Sequence, residues 1–181
     1  MQIRPMNQAD AKGGLSCGKP ALDAYFTKRA WDHHQKGVAK VFVLDDLAAP
    51  GVILGSYSLS ASSWERDRLQ GALPSSLPTY PMPLFSIGYF AVTQARQGQG
   101  LGKRLMADAL RRCLDAAESI GAMGVGLDSL DEDSTRFYAQ LGLVEVPAEP
   151  TRPADDTRQP MFIPMSTLLA AKPNGAMPSP M

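Results

Sequence analysis

The spacing of apolar positions changes several times along this chain, and each change marks an element. Gln2 to Arg4 reads as a short first strand, and Gly13 to Gly18 has a turn composition. Pro20 suits the first turn of a helix. Leu22, Tyr25, Phe26 and Ala30 then recur at helical spacing, which predicts one helix from Pro20 to about Lys36. Val38 to Leu44 and Val52 to Ser63 read as strands. The turn Asp45 to Gly51, with its Pro50-Gly51 break, joins them as a hairpin. Ser63 to Pro83 is a long connection with Pro74, Pro78, Pro81 and Pro83, and Trp64 and Leu69 are its candidate anchors. A connection of this length either walls a substrate cleft or crosses the surface.

Phe85 to Val92 is apolar on both faces and predicts a central strand. An amphipathic helix follows from Leu101 to about Glu118, its inward face formed by Leu101, Leu105, Ala109, Leu110, Cys113, Leu114 and Ala117. Gly124 to Leu127 is a short buried strand, and Asp128 to Asp133 is an acidic turn. Ser134 to Gln140 predicts a helix stopped by Gly142. Leu143 to Val146 and Gln159 to Pro164 predict two late strands, separated by the polar loop Pro147 to Arg158. Lys172 to Met181 is rich in Pro, Gly and Met and predicts a disordered tail. The order of elements implies an α+β fold, a mixed sheet with helices packed on its faces, in a single domain over residues 1–171.

Composition narrows the class. The 181 residues suit one domain, and 44% hydrophobic content supports a sizeable core. A formal net charge of zero argues against a chain-wide basic surface. Met1-Gln2-Ile3-Arg4 is not followed by an apolar signal region. No apolar run approaches the roughly 18 residues of a membrane span. A cytoplasmic protein is expected. Cys17 and Cys113 are too few for a disulfide framework or a zinc cluster, and Cys113 reads as a small core residue. His33 and His34 stand on different helix faces without a Cys or Glu cluster, so they read as surface histidines and no metal site is expected. Lys28, Arg29, His33, His34 and Lys36 crowd the far end of the first helix. They are either a solvated, dipole-stabilised helix end or a small basic patch for an RNA.

The candidate chemistry lies between the central strand and the long helix. Gly98, Gly100 and Gly102 follow Arg96 and Gln97, with Gln99, Leu101 and Lys103 interleaved. Glycines let backbone N–H groups approach a ligand, and the helix that starts at once adds its unpaired N–H groups and positive dipole end. This is an anion site suited to phosphate. Lys103 is followed by Arg104, which breaks the P-loop pattern, and the glycine spacing breaks the dinucleotide fingerprint. Gln97-x-x-Gly100-x-Gly102 instead resembles the [RQ]-x-x-G-x-[GA] signature of the GNAT N-acetyltransferases. Asp131 to Leu143, D-E-D-S-T-R-F-Y-A-Q-L-G-L, resembles the second motif of that family, with Phe137, Tyr138 and Gly142 matching. Asp131 stands where that motif often has asparagine.

The resemblance covers nearly the whole chain. C-G-K-P-A-L-D-A-Y-F, G-S-Y-S-L-S-A-S-S and P-M-F-I-P-M-S-T-L are similar to the GNAT toxins of bacterial toxin–antitoxin pairs, although Tyr89-Phe90-Ala91-Val92 replaces their common R-L-A-V. The resemblance implies a mostly antiparallel central sheet flanked by helices. It implies acetyl-CoA held by Phe90, Ala91, Val92, Arg96, Gln97, Gly98, Gln99, Gly100, Leu101, Gly102, Lys103 and Asp131, with no metal. It implies an oxyanion donor on the Phe90 to Val92 strand, and Tyr138 as the proton donor to the departing thiolate. The acceptor would be a primary amine. One reading is the α-amine of aminoacyl-tRNA; the alternatives are a small metabolite amine, a protein amine, or a catalytically inactive CoA-binding module. An antitoxin protein is an expected partner, and a second copy of the chain is another candidate. Phe85 to Val92 carries no carboxylate to serve as general base. Asp128 is a candidate, with turn or helix-capping as its other reading. An α-amine titrates near 8 against about 10.4 for a lysine, so the missing base favours a weakly basic acceptor.

Overall fold

The computed structural model of the chain describes residues 1–171, so the tail expected over Lys172 to Met181 lies outside the described residues. The chain falls into two compact units, one of Met1–Ser62 with Phe85–Cys113 and one of Ser63–Leu84 with the chain from Leu114 onward.

The first unit begins with β1 (Gln2–Pro5) and the single turn α1 (Asp10–Gly13). Helices α2 (Pro20–Lys28) and α3 (Ala30–Lys36) precede β2 (Lys40–Asp45) and β3 (Ile53–Trp64). Strand β4 (Met82–Val92) leads into α4 (Leu101–Ala117). The strand order is β1-β2-β3-β4. Strands β1 and β2 are antiparallel with Ile3 opposite Leu44. The expected hairpin forms from β2 and β3, with Phe42 opposite Tyr57. Val41, Phe42, Val43 and Leu44 are all buried, as a β-branched and aromatic run covered on both faces should be.

The helix expected from Pro20 to Lys36 is two helices, broken at Arg29, whose φ of −130° leaves the helical range. No glycine or proline lies inside the segment to mark the break. The hydrogen bonds Arg29 N to Tyr25 O and His33 N to Arg29 O, both 2.9 Å, persist across it. Packing supplies the reason. Tyr25, Phe26 and Ala30 join Met6, Leu15, Cys17, Val41, Val43, Ile53 and Ala91 in one core, and Trp31 packs on the same core. On a straight helix Trp31 would point roughly 120–140° away from Tyr25 and Phe26. The bend re-aims it.

The two histidines are half-buried connectors rather than the expected surface residues. His34 Nδ1 accepts from Val41 N at 3.0 Å. Burial first, and Lys40 second, lower the His34 pKa below 6.5, which keeps the ring neutral and able to accept. His33 sets its ring edge-on to Tyr25, with centroids 5.4 Å apart.

Two charged networks pin this unit. Arg4 donates to both oxygens of buried Asp10, at 2.8 and 2.9 Å, and to Asp45 at 3.0 Å. The hydroxyl of wholly buried Tyr57 donates to Asp108 of α4. Arg112 donates from Nε to Tyr57 at 3.0 Å and to Asp108 at 2.8 Å, and its guanidinium lies 4.0 Å over the Phe42 ring. The inward residues of α4 are Leu101, Leu105, Met106, Ala109 and Cys113. Met106 was not anticipated, and Leu110, Leu114 and Ala117 are only half-buried. Burial pushes the Cys113 thiol up to about 12, as befits an inert core residue. Gly55 permits close packing here: a Cβ on it would sit 2.7 Å from the Ala91 carbonyl oxygen and from Leu105 Cδ1.

The second unit holds β5 (Gly124–Ser129), α5 (Glu132–Ala139), β6 (Val144–Glu145), β7 (Gln159–Pro164) and α6 (Met165–Ala171). Its strand order is β5-β7-β6, both pairings antiparallel, with Val125 opposite Ile163 and Val144 opposite Phe162. Strand β7 has its expected bounds. Strand β6 is shorter than expected. Leu143 N is used to close α5 against Tyr138 O at 3.2 Å, and Pro160 has no N–H to extend the ladder. Helix α5 starts two residues earlier than expected, because Asp131 caps it. Helix α6 was not anticipated at all; Met165 N bonds Met123 O at 2.9 Å and Leu168 is buried.

The long connection after β3 folds into this unit. It contains a 3₁₀ turn, Arg66–Leu69, and both expected anchors, Trp64 and Leu69, are buried with Met82, Leu84, Val146 and Phe162. Buried Arg68 lies 4.5 Å over the Trp64 ring and donates to Pro147 O at 2.9 Å and Glu149 at 3.1 Å. No helix among the described residues is long and apolar enough to cross a membrane.

The Asp108 network makes stability depend on acid. Burial alone would raise the Asp108 carboxyl, but hydrogen bonds from Tyr57, Arg112 and Arg111 outweigh it and hold the pKa below 3.8. A carboxyl depressed in the folded state stabilises above its unfolded pKa and loses that contribution as pH falls through the folded value. Asp108→Asn should therefore destabilise the protein at pH 7 and flatten its stability profile between about pH 5 and 3. Urea unfolding at a series of pH values measures both effects; an unchanged acid limb would remove Asp108 from this role.

Candidate functional site

Strand β4 is built from two phases. Met82 and Leu84 are buried in one alternation, Ile87 and Ala91 in another, and the phase slips between Leu84 and Ile87. The uniform burial expected of a strand apolar on both faces is therefore absent: Phe85, Phe90 and Val92 are half-buried and Tyr89 is exposed. Tyr89 has φ +48°, the only non-glycine residue with positive φ among the described residues. A tyrosine there costs about 1–3 kcal/mol and persists only where its surroundings over-determine it. Its ring lies flat against that of Tyr25, the two parallel within 4° with centroids 3.3 Å apart. Burial, and then Tyr89, push the Tyr25 hydroxyl up to about 12.

The chain leaves β4 through Thr93 and a 3₁₀ turn, Gln94–Arg96. This exit is tied by five hydrogen bonds. Thr93 N donates to Leu54 O at 2.9 Å, and Gln94 N donates to Ser16 O at 2.8 Å. Thr93 Oγ1 donates to Ser16 O at 3.2 Å. The Gln97 side-chain amide donates to Cys17 O at 2.9 Å and Val92 O at 3.0 Å. Sequence reading missed Ser16 and Cys17 as supports of this loop, because their contribution is made by backbone carbonyls. Cys17 itself is anchored, its N–H donating to Asp23 at 2.8 Å. Gly18 packs against the Gln94 side chain, 3.3 Å from where its Cβ would be.

Gly98 and Gly100 follow at φ +74° and +80°, where a side chain would be strained, and the space a Cβ would take is open. Gln97, Gly98, Gln99 and Gly100 are exposed. Helix α4 begins at Leu101, with Gly102 and Lys103 in its first turn and Leu101 buried as its anchor. The first N–H groups of a 17-residue helix thus lie directly after the glycine turn. Arg96 is half-buried, and its Nε is a buried donor with no hydrogen-bond partner among the described residues. An open, exposed glycine turn, a helix N-terminus and an orphaned guanidinium donor fit a phosphate-bearing ligand. The structure thus brings Phe90, Ala91, Val92, Arg96, Gln97, Gly98, Gln99, Gly100, Leu101, Gly102 and Lys103 into one continuous strand–turn–helix segment. It assigns the Gln97 side chain to holding that segment rather than reaching outward.

Asp131 and Tyr138 belong to the second unit. Asp131 is the N-cap of α5: its carboxylate accepts from Ser134 N at 2.9 Å and Ser134 Oγ at 2.8 Å, while Ser134 Oγ accepts from Asp131 N at 3.0 Å. This reciprocal cap gives the side chain a local structural task. Tyr138 is buried in the last turn of α5, its ring edge-on to Phe137 with centroids 5.2 Å apart. Burial, and then Asp131, raise its pKa well above 10, so the hydroxyl stays protonated at neutral pH. Gly142, at φ +91°, closes the helix with Gly142 N to Ala139 O at 3.0 Å and Leu143 N to Tyr138 O at 3.2 Å. Asp128, the candidate base, is committed to Arg152 at 2.8 Å and also faces Arg158 at 3.6 Å. No group of three or more His, Cys, Asp or Glu residues able to hold a metal ion occurs among the described residues.

The model of the Acetyltransferase (GNAT) family matches residues 18–143. A tRNA-acetylating toxin of Mycobacterium tuberculosis is 32% identical over 147 residues, covering 81% of this chain and 86% of that protein. Among solved structures, AtaT complexed with acetyl-methionyl-tRNAfMet has a TM-score of 0.79 at 25% identity, over 94% of this chain and 98% of that one. AtaTR bound with AcCoA has a TM-score of 0.76 at 25% identity, over 94% of this chain and 96% of that one.

The two carbonyl contacts of Gln97 predict a stability effect separate from any ligand. Gln97→Ala should lower unfolding stability by about 1–2 kcal/mol, the worth of two lost side-chain hydrogen bonds. Urea denaturation of the apo protein measures it; a loss below about 0.3 kcal/mol would mean that the loop holds without them.

Proposed function

Because the chain belongs to the Acetyltransferase (GNAT) family, we propose that it transfers acetyl from acetyl-CoA to the α-amine of an aminoacyl-tRNA. The observation that carries the acceptor is the 32% identity, over 81% of the chain, to the tRNA-acetylating toxin. The pyrophosphate is held by the exposed turn Gln97 to Gly100, the start of α4, Arg96 and Lys103. The strand Phe90 to Val92 pairs with the pantetheine amides and supplies the oxyanion N–H. Asp131 acts by fixing the start of the helix that carries Tyr138. Residues 1–171 act as one domain in this reading.

The chemistry is an aminolysis. The neutral α-amine attacks the thioester carbonyl, the new C–N bond forms and the C–S bond breaks. The nitrogen loses its extra proton to water, the departing thiolate takes one from the Tyr138 hydroxyl, and solvent returns a proton to the tyrosinate, so that no net proton is gained or lost. Orientation of the two reactants supplies much of the rate, and the oxyanion contact most of the rest. Asp128 is paired to Arg152, and Phe85 to Val92 carries no carboxylate to deprotonate a lysine-like amine. An α-amine titrating near 8 is partly neutral without one, which supports this acceptor over a protein lysine. Exposed Lys28 and Arg29 are the candidates for tRNA phosphate contacts; Lys36 is already paired with Asp32 at 2.8 Å. An antitoxin protein is the partner this reading expects.

The second reading, a small metabolite amine, is favoured by the zero net charge. Salt separates the two. Acetylation of charged tRNA should fall steeply between low and physiological salt and weaken further in a Lys28/Arg29→Ala variant, because phosphate contacts release counterions. Label transferred from acetyl-CoA only to small amines would refute the tRNA acceptor.

Tyr138→Phe should lower kcat by about 100-fold or more with little change in acetyl-CoA affinity, since in this reading its hydroxyl acts on the departing thiolate and not on the bound ground state. Single-turnover kinetics with calorimetric CoA titration test this, and an unchanged chemical step would return Tyr138 to a packing role.

A further inference from the structure

Resting on the aminoacyl-tRNA reading, we infer that Tyr89, braced by Tyr25, is the wall against which the aminoacyl side chain of the acceptor stacks, so that it sets amino-acid specificity. Tyr89 is the exposed member of the stack, at 44% against 5% for Tyr25. One face of its ring is covered by Tyr25 at 3.3 Å. A large aromatic ring held half in solvent at a left-handed φ of +48° is costly on both counts. Folding alone does not require it, since glycine would take that backbone freely.

Tyr25 is in turn fixed. It is buried in the core of the first unit, its hydroxyl lies 3.4 Å from His33 Nδ1, and the His33 ring stands edge-on to it. The platform is therefore rigid from below. Ser58 Oγ, donating to Gly88 O at 3.0 Å, secures the residue before Tyr89. A Cβ on Gly88 would meet that oxygen at 2.9 Å, so the backbone is closely held there.

Position along the strand assigns the ligand. Tyr89 immediately precedes Phe90 to Val92, the segment that faces the thioester in the proposed function. The attacking nitrogen must come within about 3–3.5 Å of the carbonyl carbon. The Cα of the amino acid is one bond further and its side chain two. One strand residue spans roughly 3.3 Å, so the ring beside the oxyanion segment is within reach of the aminoacyl side chain. An uncharged, flat, half-exposed ring favours aromatic and long apolar side chains over small or charged ones.

The test uses one tRNA body acylated in turn with glycine, aspartate, methionine, phenylalanine and tyrosine. Wild-type protein should acetylate the phenylalanyl, tyrosyl and methionyl forms with kcat/KM at least about tenfold above the glycyl form. Tyr89→Ala should bring that ratio to within about twofold, whatever its effect on the absolute rates, and Tyr89→Phe should keep the wild-type ratio. Equal wild-type rates across the panel would overturn the inference. So would a uniform loss in Tyr89→Ala, which would place the ring against the tRNA body or in the fold. Acetylation of none of the five would refute the aminoacyl-tRNA reading itself, and is distinct from equal rates on all.

Discussion

The candidate site depends on a small set of bonds between the residues before α2 and the exit of β4. The carbonyls of Ser16 and Cys17 receive Gln94 N, Thr93 Oγ1 and the Gln97 side-chain amide. Glycines give a turn its reach but remove its rigidity, because they lose the most conformational freedom on ordering. Gly98 and Gly100 alone would not hold one conformation in open solvent. The preceding residues are held instead: Thr93 to β3 through Leu54, Gln94 to Ser16, and Gln97 to Cys17 and Val92. The start of α4 is fixed on the other side by buried Leu101 and Leu105. The glycines then span a short gap between two fixed ends, so ordering a phosphate ligand there costs less entropy.

The same logic explains the irregular strand. A regular strand uses its N–H and C=O groups in ladders and has none to present to a ligand. The phase slip after Leu84 and the left-handed Tyr89 interrupt that regularity just before Phe90 to Val92. Buried Ile87 and Ala91 anchor the strand on either side of Tyr89. The irregularity thus lies in the one strand that the proposed chemistry needs, whereas β2 and β7 are buried along nearly their whole length.

Much of this was legible in the sequence, and the failures have identifiable physics. Strand β7, the β2–β3 hairpin, the glycine turn and helix α4 follow from periodicity and turn chemistry that act locally. Helix α5 starts two residues before the expected Ser134, since an acidic run reads as a turn until the reciprocal bonds of Asp131 and Ser134 are placed. The bend at Arg29 has no local signature because it serves Trp31, whose target core is assembled from distant strands. Buried Arg68 was invisible for the same reason: only its place between Trp64, Pro147 and Glu149 makes a charged residue acceptable inside. The supports at Ser16 and Cys17 act through carbonyls, which every residue carries, so no side-chain pattern encodes them.

The distribution of charge bears on the acceptor more than its sum does. Equal numbers of acidic and basic residues give a net of zero, but they are unevenly spread: the unit of Met1–Ser62 with Phe85–Cys113 carries twelve Lys and Arg against six Asp and Glu, and several charges are paired within the fold. Asp10 and Asp45 hold Arg4, Asp108 holds Arg111 and Arg112, Asp128 and Asp156 hold Arg152 and Arg158, and Asp32 holds Lys36. Such pairs are close to neutral at a distance of a Debye length, about 8–10 Å. Lys28 and Arg29 are exposed in the same unit as the glycine turn. A polyanion samples the local field, which falls off within that distance, rather than the whole-chain total. A formally neutral protein can therefore present a basic face to tRNA, and the zero net charge weighs less against that acceptor than composition alone suggests.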